Sequence, residues 1–518
     1  MTYNRLGGQR MSKEIDSGML QYTPKGAYYE EKDQQFDAVK KMWDGLFNYD
    51  RALFALTSIL NGTGFSKGAM AHKLLSNPVI SQTGMELIPG GLDAEFERKI
   101  IFYNLEKQQM ARSIKNLLML AGGELHSRVN NSRTRKIILE FLFNRDNKEL
   151  DSLAINFKSK LAKLVRHALG KQDLFKILNG DMVLFEKKIG KYNKYAFPVV
   201  CHLFNRLPIP GGEVRGHFPN IDNYWKAKTA ASTGDVKEFE KLINKLPWRV
   251  VMGFRNTYKL DIDKSKILST SKMSTKEELT LEAAVKRSGA KARKVNYNAQ
   301  DLYDLWKALY FKMANDDLEN IDKISKAIDE KTKSLSKLDF GEECVAILDA
   351  SHSMFGSDER PLHPFLTGLC IISSIENVKS VFVVSGKWKE IDGANKKVVF
   401  PANSSPLWRG LVDAVMTGAK NIIIVSDGYE NSVKGMFDHV YKHFRDTGYE
   451  FNVVHINPVF SAESKSGTTR SLAENITPMP VGNYKYLETE FIFNQMLENT
   501  EAVKQLLIHK YQKLIGGV

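Results

Sequence analysis

Four short apolar runs decide most of what the last third of this chain can become. Cys344–Leu348 (CVAIL), Val381–Val384 (VFVV), Asn421–Val425 (NIIIV) and Phe451–Ile456 (FNVVHI) are rich in β-branched residues and almost continuously apolar. Continuous rather than alternating apolar character marks strands covered on both faces, which is the environment of a parallel sheet. Helical stretches at 361–375, 406–418 and 433–446 lie between them. Parallel neighbours need a crossover and a helix is the usual one, so this alternation predicts a doubly wound α/β domain.

Upstream of about residue 340 the texture changes. Apolar residues recur at helical spacing, as in Ile114, Leu117, Leu118 and Leu120, or Ile137, Ile138, Phe141 and Leu142. Segments 36–60, 95–121, 132–145, 149–169, 236–246 and 300–329 read as amphipathic helices. Gly and Pro punctuate the connections, as in LPIPGGEVRGHFPN at 207–220 and Pro89-Gly90-Gly91. No fixed period stands out. A long run of helices without a bundle pattern suggests stacked helical pairs, as in an α-solenoid. The expected division is an N-terminal segment 1–24, a helical module 25–339 and an α/β domain 340–518.

Composition removes several alternatives. With 518 residues, at least two domains are expected. Hydrophobic residues at 43% and charged residues at 26% exclude disorder over most of the length. No apolar run approaches the roughly 20 residues that span a bilayer, and the first residues lack a secretory apolar core. Cys201, Cys344 and Cys370 are far apart, which excludes a disulfide framework and a thiolate zinc site. Such cysteine usage predicts a reducing, cytoplasmic setting.

The charge is unevenly divided. Residues 1–340 carry 57 basic and 40 acidic side chains, whereas 341–518 carry 17 and 20. All of the chain's net +14, and more, therefore lies in the helical part. A polyanionic partner for that part alone follows; the plainer alternative is a solvated basic surface without one.

The first strand runs straight into Asp349-Ala350-Ser351-His352-Ser353. A loop past the strand end can turn Asp349, Ser351 and Ser353 toward one point, the crevice at the carboxyl ends of the strands. A later strand ends in Asp427-Gly428, bringing a second carboxylate to the same edge, and Ser405 supplies a further hydroxyl just before a helix. These are hard oxygen donors of the kind that suit Mg²⁺, with Mn²⁺ an alternative. Helix capping by one Asp or Ser is the plainer reading, but it leaves Asp427 unexplained. His352 has no visible orienting group, so no catalytic dyad with a neighbouring serine is expected. Neither a supported general base or nucleophile nor a GxxxxGK[ST] phosphate loop is present, and no enzymatic activity is expected.

The DxSxS of Asp349–Ser353 resembles the metal-ion-dependent adhesion site of von Willebrand factor A domains. In that family a Thr precedes a helix-opening Gly by five residues, and Ser405 keeps that spacing to Gly410. The family's second Asp looks like Asp427. The resemblance implies a single divalent metal held by Asp349, Ser351, Ser353, Ser405 and Asp427, with a position open to a partner's carboxylate.

Within residues 101–300 there are 38 basic and 19 acidic side chains. Arg128, Arg133, Arg135 and Lys136 form one cluster; Lys286, Arg287, Lys291, Arg293 and Lys294 form another. Such side chains neutralise phosphates, and aromatics beside them can stack on unpaired bases. Candidate stackers are Tyr224, Trp225, Trp248, Phe254, Tyr258 and Tyr297, with burial in helix packing as their ordinary alternative. No duplex-DNA motif is present, which favours single-stranded RNA.

A basic helical module followed by an A domain resembles the Ro autoantigen family, in which a TROVE ring of HEAT-like repeats is closed by a von Willebrand factor A domain. LFALTSIL at 53–60 is similar to an early TROVE helix. Lys171-Gln172-Asp173-Leu174-Phe175-Lys176 looks like the family's KDLLR-type stretch, and Arg255-Asn256 falls on its Arg-Asn pair. The resemblance implies that single-stranded 3′ ends of misfolded or structured RNAs enter a basic ring, and that small Y-like noncoding RNAs bind outside it. It also implies a role in RNA quality control or decay with a 3′-to-5′ exoribonuclease. A monomer without membrane attachment is expected. The alternatives are a metal-dependent protein adaptor, in which the helical part is a spacer, and a nuclease using the acidic cluster.

Overall fold

A computed structural model describes residues 44–515 apart from 46, 49, 59–63, 78–86, 89–91, 123–127, 208–215, 288–294, 316, 318, 341, 358–359, 392–395, 431, 459–469, 489 and 492–499. Contacts divide the described chain into two compact units. One comprises residues within 67–86 and 93–299. The other comprises residues within 1–66, 87–92 and 300–518. The N-terminal segment 1–24 lies outside the described residues. Among the described residues no helix is long and apolar enough to cross a membrane.

A short helix, α1 (Arg51–Thr57), belongs to the second unit and is taken up below. The first unit is helical throughout its core. Its principal elements are α2 (Ala94–Glu106), α3 (Met110–Leu120), α4 (Ser132–Phe143), α5 (Asn147–Asn156), α6 (Lys158–Leu178), α7 (Phe197–Leu203), α8 (Pro219–Thr233) and α9 (Trp248–Thr257). Side-chain caps set several boundaries. Asn131 accepts from the Thr134 backbone N–H at 2.9 Å to open α4, and Asp146 accepts from that of Glu149 at 2.7 Å to open α5. On α4, Ile137, Ile138, Phe141 and Leu142 form the buried stripe expected from their spacing, each such side chain contributing about 1.5–3 kcal/mol. The segment expected as one helix over 149–169 is two, meeting at Phe157, and the second continues past a non-helical Gly170 (φ +79°). Likewise 95–121 is broken between Glu106 and Met110.

Helices pack on near neighbours in sequence: α2 on α3 and α4, α4 and α7 on α6, α5 on α7 and α8, and α8 on α9. One polar contact is central to this arrangement. Asp151, fully buried on α5, accepts from the backbone N–H groups of Asn220 at 2.7 Å and Ile221 at 3.0 Å, at the start of α8. Burial nonetheless pushes its carboxyl up to about 6.

The second unit is α/β. Following α10 (Leu302–Ala314) and α11 (Ile321–Lys333), its order is β1 (Cys344–Asp349), α12 (His363–Ser373), β2 (Val378–Val384), hairpin β3 (Lys387–Ile391) and β4 (Lys396–Phe400), α13 (Leu407–Met416), β5 (Asn421–Val425), α14 (Met436–Asp446), β6 (Asn452–Asn457), β7 (Met479–Pro480) and α15 (Thr500–Ile515). Five strands form one parallel sheet in the order β7-β6-β5-β1-β2. All four expected strands are present, and every residue of β1 and β5 is buried. The short fifth strand and the hairpin carried no readable signal. Residues 302–333, helical in texture, belong to the same compact unit as the sheet: Tyr310 meets Phe365 of α12 at 5.6 Å and Phe400 of β4 at 5.1 Å between ring centres. The N-terminal α1 also belongs here, against α15, through Lys504–Asp50 (2.8 Å) and Ser58–Tyr511 (3.1 Å).

Replacing Asp151 by Ala strands the buried N–H of Ile221 and the partly buried one of Asn220 at the head of α8. A loss of about 2–3 kcal/mol in urea unfolding is expected. Asp151→Asn, which keeps one acceptor, is expected to lose less.

Candidate functional site

The strand order reverses at β1: the chain leaves it for β2 on one side and returns to β5 on the other. The crevice at the carboxyl ends of β1 and β5 is therefore the switch point where open α/β sheets take ligands. Asp349 is the last residue of β1, and Asp427 stands two residues past the end of β5. A 3₁₀ turn over His352–Phe355 brings Ser351 and Ser353 round, with their hydroxyls 3.1 Å apart.

Two loops are stitched together to present Ser405. The Ala402 N–H donates to the Ala350 carbonyl at 2.8 Å, and the His352 N–H to the Asn403 carbonyl at 3.0 Å. Gly410 lets α13 approach the sheet: a Cβ there would stand 2.7 Å from Val384 Cγ2 and 2.9 Å from Ile347 Cγ2. The spacing from Ser405 to Gly410 thus has a packing cause. The glycine seats the helix, and the serine precedes it by just over one turn.

Asp349, Ser351 and Ser405 are fully buried, Asp427 is 2% exposed and Ser353 is half-buried. Asp349 accepts from the Ser351 N–H at 2.8 Å on one oxygen and from the Ser426 hydroxyl at 2.7 Å on the other. Asp427 accepts from the Tyr429 N–H at 3.0 Å. Burial drives both carboxyls above the ordinary carboxylate range; for Asp427 the neighbouring Asp349 charge adds to it. The Ser353 hydroxyl and the Arg470 guanidinium oppose the rise at Asp427, and the hydroxyls of Ser426, Ser351 and, most weakly, Ser405 oppose it at Asp349. Ser405 Oγ is buried and makes no hydrogen bond of normal geometry. Two repelling buried carboxylates, with an underused buried hydroxyl beside them, form an all-oxygen donor set that fits a hard divalent cation.

Two contributors escaped the sequence reading. Ser426 stands between the end of β5 and Asp427, and its hydroxyl donates to Asp349. Arg470 has no local signal at all, because it returns after β6. Its guanidinium lies 3.4 Å from the Tyr429 ring centre. A Cβ on Gly428 would meet its backbone oxygen at 2.9 Å. His352 is exposed and stacks on Phe355, which leaves it outside the cluster.

The candidate RNA residues differ in what their side chains already do. Arg133 reaches the fully buried Glu97 at 3.5 Å, and Arg255 donates to the Ile262 carbonyl at 2.6 Å. Arg128 is exposed and donates to His167 Nδ1 at 2.9 Å; Arg135, also exposed, donates to Asn130 at 2.9 Å. Lys136, Lys171 and Lys176 are exposed. Lys286 and Arg287 end a helix over Thr275–Arg287 but their side chains are not described, and Lys291, Arg293 and Lys294 lie outside the described residues. Of the aromatic candidates, Phe254 and Tyr297 are buried, and Tyr224 and Tyr258 pack partly buried against the cluster containing Phe254. Trp248 donates to Glu277 at 3.1 Å.

No protein-family model and no curated protein matches the chain.

The metal-free cluster has a definite pH signature. Carboxyls raised in the fold bind protons more tightly than in the unfolded chain. Their contribution is complete below the unfolded value near 4 and is lost as pH rises toward the folded value. In EDTA, thermal unfolding should therefore show Asp427→Asn to be more stable than the native chain at pH 7, by about 1–3 kcal/mol, with the difference closing near pH 4. Millimolar Mg²⁺ should raise the native melting temperature and leave the variant unmoved.

Proposed function

We propose that this chain is an RNA-binding scaffold of the Ro type, with single-stranded 3′ ends and small structured noncoding RNAs as its ligands. On this reading the helical unit is a TROVE-like module of HEAT-like repeats. The α/β unit is a von Willebrand factor A-like domain, and the protein is cytoplasmic and not an enzyme. The observation that carries it is the pairing of two features in one chain. One is a carboxylate-and-hydroxyl cluster at the switch point of a parallel sheet. The other is a helical unit whose exposed surface bears most of the excess positive charge.

The two features have different chemistry. A polyanion is attracted to exposed Lys and Arg by release of its condensed counterions, so affinity falls steeply with salt. Helices that stack on their sequence neighbours can extend such a surface over several nucleotides, which supports the reading. In the α/β unit, Asp349, Ser351, Ser353, Ser405 and Asp427 would hold Mg²⁺ or Mn²⁺. The ion would supply a hard positive centre for an anionic group of a partner. The chain's own part is to keep those oxygens dry and pre-positioned through Ser426, Gly410 and the paired loops. A 3′-to-5′ exoribonuclease remains the expected partner in this scheme.

The test is binding of the purified chain to a labelled hairpin bearing a single-stranded 3′ tail, against a blunt hairpin, across a salt series. Preference for the tail with a steep salt slope is expected. Replacing Lys136, Lys171 and Lys176 by Ala should weaken binding about tenfold or more and flatten the log–log slope by roughly 2, at about 0.7 per phosphate contact. Equal, weak binding of both hairpins would sink the reading in favour of a metal-dependent protein adaptor.

A further inference from the structure

The helical unit contains a group of hydrogen-bond donors that neither the metal cluster nor the basic runs absorb. Lys158 opens α6, and its ammonium is drawn in over α8. Lys158 Nζ lies 4.5 Å from the Tyr224 ring centre and 5.4 Å from that of Trp225. Lys228, one turn on from Trp225, stands 4.7 Å from the same indole. Lys158 donates to Asn205 Oδ1 at 2.9 Å and to the Tyr224 hydroxyl oxygen at 3.4 Å. The tyrosine O–H is then left to donate outward.

Among the described residues no carboxylate makes an ion pair with either ammonium, and the charge that Lys158 feels most is that of Lys228. Burial, with Lys228 second, pushes the Lys158 amine down to about 8. Beside them His202 is fully buried, edge-on to Tyr224 at 4.7 Å, and neither ring nitrogen makes a hydrogen bond of normal geometry. Burial and the two lysines push its imidazole down to about 3, so it stays neutral. Lys160, Lys163 and Lys226, exposed on the same two helices, add positive potential. A desolvated ammonium is ordinarily paired, and here it also sits at the positive end of its own helix. Aromatic faces offset part of this cost but cannot supply a negative charge.

We propose that Lys158, Lys228 and the Tyr224 hydroxyl form a phosphate-binding site in the helical unit. The chemistry that fits is a tetrahedral dianion: two point-charge ammoniums and one neutral donor match its several acceptor oxygens. The phosphate belongs either to a polynucleotide backbone or to a free oligophosphate. In the first case the site adds to the RNA reading contacts that no basic run in the sequence indicated; in the second it stands without that reading.

Trace acetylation of lysines, read by mass spectrometry, tests the native chain directly. Inorganic tripolyphosphate or a 12-nucleotide oligouridylate should protect Lys158 and Lys228 at least fivefold over Lys245, with sodium chloride of equal ionic strength as control. Thermal unfolding is the second readout: each ligand that binds should raise the melting temperature saturably. The double variant Lys158→Met, Lys228→Met keeps the apolar stems against the rings and removes the charges. It should fold at least as stably and lose both responses.

Protection by tripolyphosphate alone assigns the site to a free oligophosphate, and protection by the oligonucleotide alone assigns it to an RNA backbone. Response to tripolyphosphate in a chain with no hairpin affinity would leave the site standing while the RNA reading falls. Hairpin binding that persists undiminished in the double variant, with neither ligand protecting Lys158 in the native chain, would overturn the site and leave the RNA reading intact.

Discussion

Asp349 and Asp427 reach one crevice because the chain lays β2 on one side of β1 and β5 on the other, and both side chains are removed from water there. Lost hydration opposes both charges, and at Asp427 the Asp349 charge adds to it. The rest of the α/β unit can be understood as the framework that enforces this. Gly410 admits α13 close to β1 and β2, the backbone bonds from Ala350 to Ala402 and from His352 to Asn403 join the two loops, and Ser426 holds Asp349 from the neighbouring strand end. Taken without a cation the cluster is a local liability. An unpaired buried charge costs several kcal/mol, and folds retain such features where a ligand relieves them.

The helical unit shows the same logic with the opposite sign. Its positive charge is not one uniform surface. Arg133 is committed to Glu97 on a neighbouring helix, and Arg255 to the Ile262 carbonyl in the segment that follows its own helix. Lys136, Lys171 and Lys176 remain at the surface. Lys158 and Lys228 are neither paired nor fully solvated, and it is that intermediate state, more than the number of cations, that singles them out. On the proposed reading, long-range potential would steer a polyanion toward the whole unit, whereas a desolvated donor set would position one group of it.

The division of labour along the chain was legible from side-chain periodicity. Continuous apolar runs such as NIIIV could only be satisfied between two layers of helix, and β1, β2, β5 and β6 form where those runs stand. Helix boundaries were less legible, as the break at Phe157 shows: apolar residues recur at helical spacing on both sides of the interruption. The hairpin of β3 and β4 and the two-residue β7 were not legible, since their pairing depends on neighbours distant in sequence. Residues 302–333 read as part of the helical run, yet Tyr310 packs on Phe365 and Phe400, and periodicity carries no record of which partner a stripe will meet.

The candidate site divides in the same way. Local spacing alone determined that Asp349, Ser351 and Ser353 would leave a strand end together, that Ser405 would precede a helix, and that Asp427 would stand at a second strand end. Tertiary structure alone decided that Ser426 holds Asp349, that Arg470 lies against Tyr429 beside Asp427, and that Lys158 is carried over Tyr224 and Trp225. The physical reason is range. Backbone geometry and hydrophobic periodicity act over a few residues and are written in order along the chain. Electrostatic balance and desolvation depend on whatever the fold brings within a few ångströms, from any position in the sequence.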